Sequence, residues 1–274
     1  MNARESWDRA AAGWDAFTPA IHAWLAVPTQ AMLAMAGIAP GARVLDVAAG
    51  AGNQTLDVAR RVGPAGFVLA TDVSPVILDC AQRRVAATGH PNVATRVADA
   101  EQLPDDLEGF DAAICRLGLM LMAEPLAALQ GMRRALRDGG GICTLVFGAP
   151  ARNPAVALLM KTAAGHAGLP APEPSRPGGL FSLSDPARLD ALFAAAGFRD
   201  IATTAIDAPF HWPSARHYVD FIKASAGPVQ ASLARLDATA QEAAWQDITA
   251  RLGAFETVDG FVAPHELLLT AARR

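Results

Sequence analysis

The stretch Val44-Leu45-Asp46-Val47-Ala48-Ala49-Gly50-Ala51-Gly52-Asn53 decides the fold. Arg43–Val47 is a short apolar run of strand type. Gly50 to Gly52 follows as a turn, and Asn53–Arg61 reads as a helix stopped by Gly63-Pro64. Gly50 and Gly52 let the backbone turn tightly and approach a ligand with no Cβ in the way. The helix that opens near Asn53 aims its free N–H groups and positive dipole end into the same space, a site for an anionic group. Asp46 reads as a candidate cofactor-binding residue or as a side chain that hydrogen-bonds the turn amides.

Working outward, the same alternation repeats. Gly66–Thr71 is the second strand, ending at Asp72. Ser74 and Pro75 open a helix that runs to about Thr88, with Ser74 as its N-cap. Val93–Ala98 is the third strand, ending at Asp99. Asp111–Arg116 is the fourth, Pro125–Leu136 a helix, and Ile142–Phe147 the fifth strand. Such spacing means parallel βαβ units, with the strand carboxyl ends on one edge where ligands bind. Asp72 stands 20 residues after Gly52, placed to accept hydrogen bonds from ribose hydroxyls. At the next strand end, Asp99 can take a hydrogen bond from an exocyclic amine, and the Ala100 N–H can reach a ring nitrogen. Three successive strand ends therefore read an anionic or zwitterionic group, a ribose and a base.

Composition narrows the field. Of 274 residues, 52% are hydrophobic and 18% charged, enough for a substantial core. The net charge of −4 lacks the basic stripe of a nucleic-acid binder. The pairs Arg60-Arg61, Arg83-Arg84 and Arg133-Arg134 fall near helix ends, where the dipole favours them. Cys80, Cys115 and Cys143 have no metal-ligand spacing and read as reduced, packed thiols, so a cytoplasmic protein without a metal site is expected. No run reaches the ~18 apolar residues of a membrane span.

The blocks VLDVAAGAGNQT (44–55), VLATDVSP (68–75), VADAEQLP (97–104), FDAAICRLGLM (110–120) and MRRALRDGGGI (132–142) together resemble the class I S-adenosylmethionine-dependent methyltransferases. Within that family they resemble the ubiquinone/menaquinone-biosynthesis C-methyltransferase type and its small-molecule relatives. The resemblance covers roughly 40–150. It implies a Rossmann-like, seven-stranded, mostly parallel sheet with an antiparallel last strand, helices on both faces and a helical lid insertion. It implies S-adenosyl-L-methionine as cofactor. Ala48, Gly50 and Gly52 would line its methionine portion, Asp72 its ribose with Val73 beside the adenine, and Asp99 with Ala100 the adenine edge. Arg116 and Leu117 would lie beside the methionine and the transferable methyl. The family commonly has glycine where Ala48 stands.

The flanking segments supply the cover in a single-domain reading of 1–274. Residues 2–17 read as an amphipathic helix, with Asn2 and Glu5 at capping-box spacing and Trp7, Ala11 and Trp14 on one face. A second helix covers about 20–36. Residues 165–182 read as a long loop, Asp185–Ala196 as a helix and Phe198–Asp207 as a strand. Residues 214–252 read as a helical insertion broken at Gly227-Pro228, and Val262–Ala271 as the last strand. An apolar roof that includes Phe181 and Tyr218, with Trp14, His22 and His211, suits a small or medium hydrophobic acceptor: a phenol, a quinone precursor or a polyketide-like compound. None of His22, His166, His211 and His217 has the spacing that would single out a general base, and His90 and His265 read as turn and strand-flank residues. Two rivals share the motif. A nicotinamide-dependent oxidoreductase would also use Gly50, Gly52 and Asp72, but Thr55 stands at its third glycine. A cofactor-binding enzyme that catalyses a cyclisation instead would share the whole pattern.

Overall fold

The computed structural model describes residues 3–171 and 173–274. Two helices come first, α1 (Ala3–Ala16) and α2 (Thr18–Met35). The alternating part follows: β1 (Arg43–Val47), α3 (Asn53–Val62), β2 (Phe67–Asp72), α4 (Pro75–Thr88), β3 (Val93–Val97), β4 (Phe110–Arg116), α5 (Pro125–Ala135) and β5 (Leu136–Phe147). Then come α6 (Pro154–His166), α7 (Pro186–Ala195), β6 (Arg199–Asp207), β7 (Phe210–Trp212), α8 (Ala215–Ser225), α9 (Gly227–Leu233), α10 (Ala238–Leu252), β8 (Glu256–Thr257), β9 (Gly260–Ala263) and β10 (Glu266–Arg273). No helix among the described residues is long and apolar enough to cross a membrane.

Seven strands form one sheet in the order β3-β2-β1-β4-β5-β10-β6. Strands β1 to β5 pair in parallel, whereas β10 runs antiparallel to both β5 and β6. The expected mostly parallel seven-stranded sheet is therefore present. The order reverses between β1 and β4, which places the crevice for a ligand at their carboxyl ends. β1 is buried from Val44 onward and β4 throughout except Asp111, the pattern of central strands covered on both faces.

Local signals account for the helix starts. The Ser74 hydroxyl accepts from the Ile77 N–H and caps α4, with Pro75 at its first turn. The Asp185 carboxylate accepts from the Ala187 N–H and caps α7. The capping pair that involved Asn2 lies outside the described residues.

Two expectations are corrected, and two features carried no sequence signal. The segment before 165 holds α6, opened by Pro154 behind Asn153. The amide of Asn153 donates to the Gly148, Ala149 and Glu266 carbonyls, a long-range tie with no local pattern. β5 begins at Leu136 and runs through Gly139-Gly140-Gly141, ahead of the expected start at Ile142. Residues 214–252 hold α8, α9 and α10, and on either side of them β7, β9 and β8 make a small antiparallel sheet that carried no sequence signal. The expected strand 262–271 is two strands: Pro264-His265 interrupts it, β9 joins the small sheet and β10 the main one.

Candidate functional site

The turn after β1 is held from below. Asp46 is fully buried and accepts from the Thr55 hydroxyl at 2.6 Å and the Gln54 amide at 3.2 Å. The same Gln54 amide nitrogen also donates to the Ala49 carbonyl at 3.2 Å. Burial lifts the Asp46 carboxyl to about 6, against the hydrogen bonds and the Arg116 charge that pull it down. Gly52 has φ +83°, and a Cβ placed on it would lie 2.9 Å from the Ala81 Cβ, so the turn can seat against α4 only as glycine. Ala48 takes φ +55° without that freedom.

Above the turn lies a cavity of about 250 Å³. The β1 turn contributes Ala48, Ala49, Gly50 and Ala51, and the first turn of α3 contributes Asn53 and Gln54. Asp72 and Val73 enter from the end of β2, Asp99, Ala100 and Glu101 from beyond β3, and Arg116, Leu117 and Gly118 from the end of β4. Trp7 and Trp14 of α1 and Leu25 of α2 cover it, with Leu121, Met122 and Ala123 at the side.

Asp72 is the best-anchored acid at this edge. One carboxylate oxygen accepts from the Gly50 N–H and the other from the Ser74 N–H, both at 3.0 Å. Burial raises its pKa, and the backbone hydrogen bonds of Ser74, Gly50 and Val73 oppose that rise. The Ser74 hydroxyl also donates to Asp8 of α1 at 2.5 Å, and Arg84 of α4 binds Asp15, so α1 is latched over the cavity. Asp99 is exposed and caps the short turn after it through the Glu101 N–H at 2.9 Å.

Arg116 is buried with one hydrogen-bond partner, the Thr29 hydroxyl of α2 at 2.9 Å. Among the described residues it forms no ion pair, although Asp46 and Asp57 act on it from a distance. Burial lowers its pKa to about 10, which leaves it protonated at neutral pH. Leu117, next along, has φ +59°, held by its N–H on the Leu145 carbonyl at 2.7 Å.

The cavity thus brings together Ala48, Gly50, Asp72, Val73, Asp99, Ala100, Arg116, Leu117 and Trp14. Asp46 and Gly52 shape the turn from beneath and are not on its wall. Four other residues named from sequence also lie off the wall. His22 is about half exposed, with Nε2 3.4 Å from Asp57. Phe181 is buried with its ring 6.0 Å from that of Phe147. His211 points outward on β7. Tyr218 is buried and stacked on Phe261 at 4.9 Å, its phenol pushed well up by burial. Sequence reasoning missed Gln54 and Glu101. Gln54 had a usable signal, a polar side chain in the first turn of α3 with a buried acid eight residues behind it. Among the described residues no group of three or more His, Cys, Asp and Glu could hold a metal ion.

Comparison with known proteins follows this geometry. Residues 44–140 match a family described as a methyltransferase domain. The ubiquinone/menaquinone biosynthesis C-methyltransferase UbiE of Ectopseudomonas mendocina (strain ymp) is 36% identical over 129 residues, 47% of this chain and 50% of that one. The chain spans about half the length of the curated relatives it matches. Phosphoethanolamine N-methyltransferase 2 of Haemonchus contortus, solved with phosphomonomethylethanolamine and S-adenosylhomocysteine, superposes with a TM-score of 0.63 at 17% identity, covering 100% of this chain and 61% of that one. The [4+2]-cyclase SpnF superposes with a TM-score of 0.58 at 19% identity, covering 98% and 96%. The sequence match runs from β1 into β5, the part of the chain whose strand ends line the cavity, and the superposed structures share its fold.

Proposed function

We propose that this chain binds S-adenosylmethionine in the cavity and transfers its methyl group to a small or medium hydrophobic acceptor, of the phenol, quinone-precursor or polyketide-like kind. The observation that carries the reading is that three successive strand ends and one uncompensated guanidinium line a single cavity. Each part fits a part of the cofactor. Asp72, already fixed by two backbone amides, would accept from the ribose hydroxyls. Asp99 and the Ala100 N–H would take the adenine edge. Arg116 with the first turn of α3 would take the carboxylate of the amino-acid portion, the counter-ion that the buried cation otherwise lacks. Trp7 and Trp14, with ring centroids 6.1 Å apart, offer aromatic faces that favour a sulfonium by ~0.5–2 kcal/mol.

When bound, the cofactor supplies an electrophilic methyl on a good leaving group. The chain's part is to position and to exclude water. α1 is tied down by Ser74–Asp8 and Arg84–Asp15, and Leu25, Leu117, Leu121 and Met122 keep the neighbouring wall apolar. Alignment of this kind is the main source of acceleration when the leaving group is already activated. The net charge of −4 fits a small-molecule acceptor better than a nucleic acid.

The nicotinamide rival is disfavoured by Thr55, whose hydroxyl is committed to Asp46 where that fingerprint needs a third glycine. The experiment is calorimetry with S-adenosylhomocysteine and with NADH, followed by transfer of a labelled methyl from S-adenosylmethionine to hydroxylated aromatics. Binding of S-adenosylhomocysteine alone with labelled product is expected. NADH binding would overturn the cofactor assignment. Transfer only to RNA or protein would overturn the acceptor class, and binding without any transfer would favour a cyclisation-type chemistry.

A further inference from the structure

Two side chains on the cavity wall have hydrogen-bonding capacity that the fold does not use. Asn53 and Gln54 open α3 and are only 7% and 2% exposed, yet both line the cavity. The Asn53 amide bonds to no other group among the described residues. Gln54 is half used, and that use fixes its orientation. Its Nε2 lies 3.2 Å from an Asp46 carboxylate oxygen and 3.2 Å from the Ala49 carbonyl. Both neighbours are acceptors, so the NH2 must face them and Oε1 must turn away. Among the described residues no donor reaches that oxygen. Polar groups this deeply buried normally have partners. His265 also lacks them at Nδ1 and Nε2, but it is sealed among the rings of Phe210, Phe147 and Trp24 and lines no cavity. The Asn53 and Gln54 amides open on space that holds a ligand.

The surroundings say which kind of donor fits. At this end of the cavity Arg116 and the N-terminus of α3 are both positive, which suits a carboxylate. A ligand that carried a carboxylate alone would need nothing more. A ligand with a cationic donor beside its carboxylate would be repelled by that guanidinium unless acceptors stood next to it. The free Gln54 oxygen is such an acceptor, and it is a strengthened one. The Asp46 carboxylate lies directly behind the same amide and polarises it. The negative charge of Asp46 is thus felt at the wall through a neutral group. A bare carboxylate on the wall would instead pair with Arg116 and close both to a ligand.

We propose that Gln54 and Asn53 read the ammonium of the cofactor's amino-acid portion, so that the cavity selects a zwitterion and not merely a carboxylate. The proposal rests on the cofactor assignment made above. Gln54 Oε1 accepts from the ammonium. Asn53, whose amide no neighbour holds, turns its oxygen to the same group. Asp46 is a positioning residue that keeps the Gln54 amide facing the right way.

The test is calorimetry on the full chain with three ligands. They are S-adenosylhomocysteine, its analogue with hydrogen in place of the amino group, and 5′-deoxy-5′-methylthioadenosine, which lacks the whole amino-acid portion. Wild type is expected to bind S-adenosylhomocysteine about 10- to 100-fold more tightly than the deaminated analogue, the range for hydrogen bonds to a charged group. Gln54→Leu should cut that preference by about tenfold and Asn53→Ala by about threefold. The deaminated analogue and 5′-deoxy-5′-methylthioadenosine should bind all three chains alike. Asn53→Ala breaks no bond of the turn, so with the wild-type comparison it decides the matter even where Gln54→Leu fails to fold. Equal binding of S-adenosylhomocysteine and the deaminated analogue by wild type overturns the proposal and leaves the cofactor assignment standing. So does a preference undiminished in both variants, or a Gln54→Leu chain that weakens all three ligands equally, which would mark Gln54 as a support of the turn. A wild-type chain that binds none of the three overturns the cofactor assignment itself, and this proposal falls with it.

Discussion

Ala48 and Gly118 face each other across the floor of the cavity so closely that a Cβ on Gly118 would lie 2.5 Å from the Cβ of Ala48. Gly118 has φ −100°, so its need for glycine is steric and not conformational. The β1 turn and the β4 end are thus matched as a pair, with the side chain on one lip and none on the other.

Gly118→Ala is expected to lower stability by about 1–3 kcal/mol through overpacking. Ala48→Gly alone should change little. Relief of φ +55° is worth about 1–2 kcal/mol, offset by about 0.4–1 kcal/mol of unfolded-chain entropy. In the double variant part of the Gly118→Ala cost should vanish, the Cys115 Sγ contact at 3.0 Å remaining. Denaturant unfolding of the four chains measures this coupling. Additive losses would show that the two lips do not constrain each other.

Arg116→Met is expected to weaken S-adenosylhomocysteine by about 10- to 100-fold, the worth of a charge-assisted hydrogen bond. 5′-Deoxy-5′-methylthioadenosine lacks the carboxylate and should bind both chains alike. Calorimetry with both ligands decides. Equal loss for both would place Arg116 in a packing role. No loss for either would assign it to the acceptor.

Acid stability carries two opposed contributions. Neutral His265, at about 3 folded against 6.5 in the unfolded chain, contributes stability that is lost as pH falls from about 6.5 toward 3, by up to about 5 kcal/mol. Asp46, at about 6 folded against 3.8, binds its proton earlier in the folded state. It therefore contributes up to about 3 kcal/mol as pH falls from 6 to 3.8, lost again as pH rises. Asp46→Asn should steepen acid loss and His265→Phe should flatten or reverse it, read from unfolding free energies at pH 4, 5 and 6. Parallel curves for the three chains would refute the assignment.

Asp8→Asn weakens the Ser74 tie of α1 by putting a neutral acceptor in place of the carboxylate and leaves the α4 cap intact, whereas Ser74→Ala removes both. We expect Asp8→Asn to change global stability by under about 1 kcal/mol and to speed amide exchange in residues 3–16. Ser74→Ala should cost about 1 kcal/mol more. Exchange in α1 that matches wild type in Asp8→Asn would show that the Trp7 and Trp14 contacts suffice.

Much of this fold was legible because its signals are local. The run from Arg43 to Val62 carries strand, glycine turn and helix start within one stretch, and Asp72 and Asp99 are marked as strand ends by the apolar runs before them. What stayed hidden depends on distant partners. α6 follows Asn153, whose amide is satisfied by Glu266 more than a hundred residues away. The β7–β9–β8 sheet pairs strands of two to four residues across the whole insertion, too short for a periodicity. Arg116 was visible as a residue but not as a lone cation, because solitude is a property of the surroundings. His265 was hidden for the same reason: sequence shows a histidine after a proline, and only packing shows two nitrogens with nothing to bind.

The position of β10 bears on how the molecule is made. It is the last strand in chain order, yet it pairs on both sides, with β5 and β6. During synthesis β5 and β6 emerge long before residues 266–273 and each waits with an unpaired edge, the surface most open to pairing with a stray chain. The sheet can therefore close only after residues 266–273 have left the ribosome.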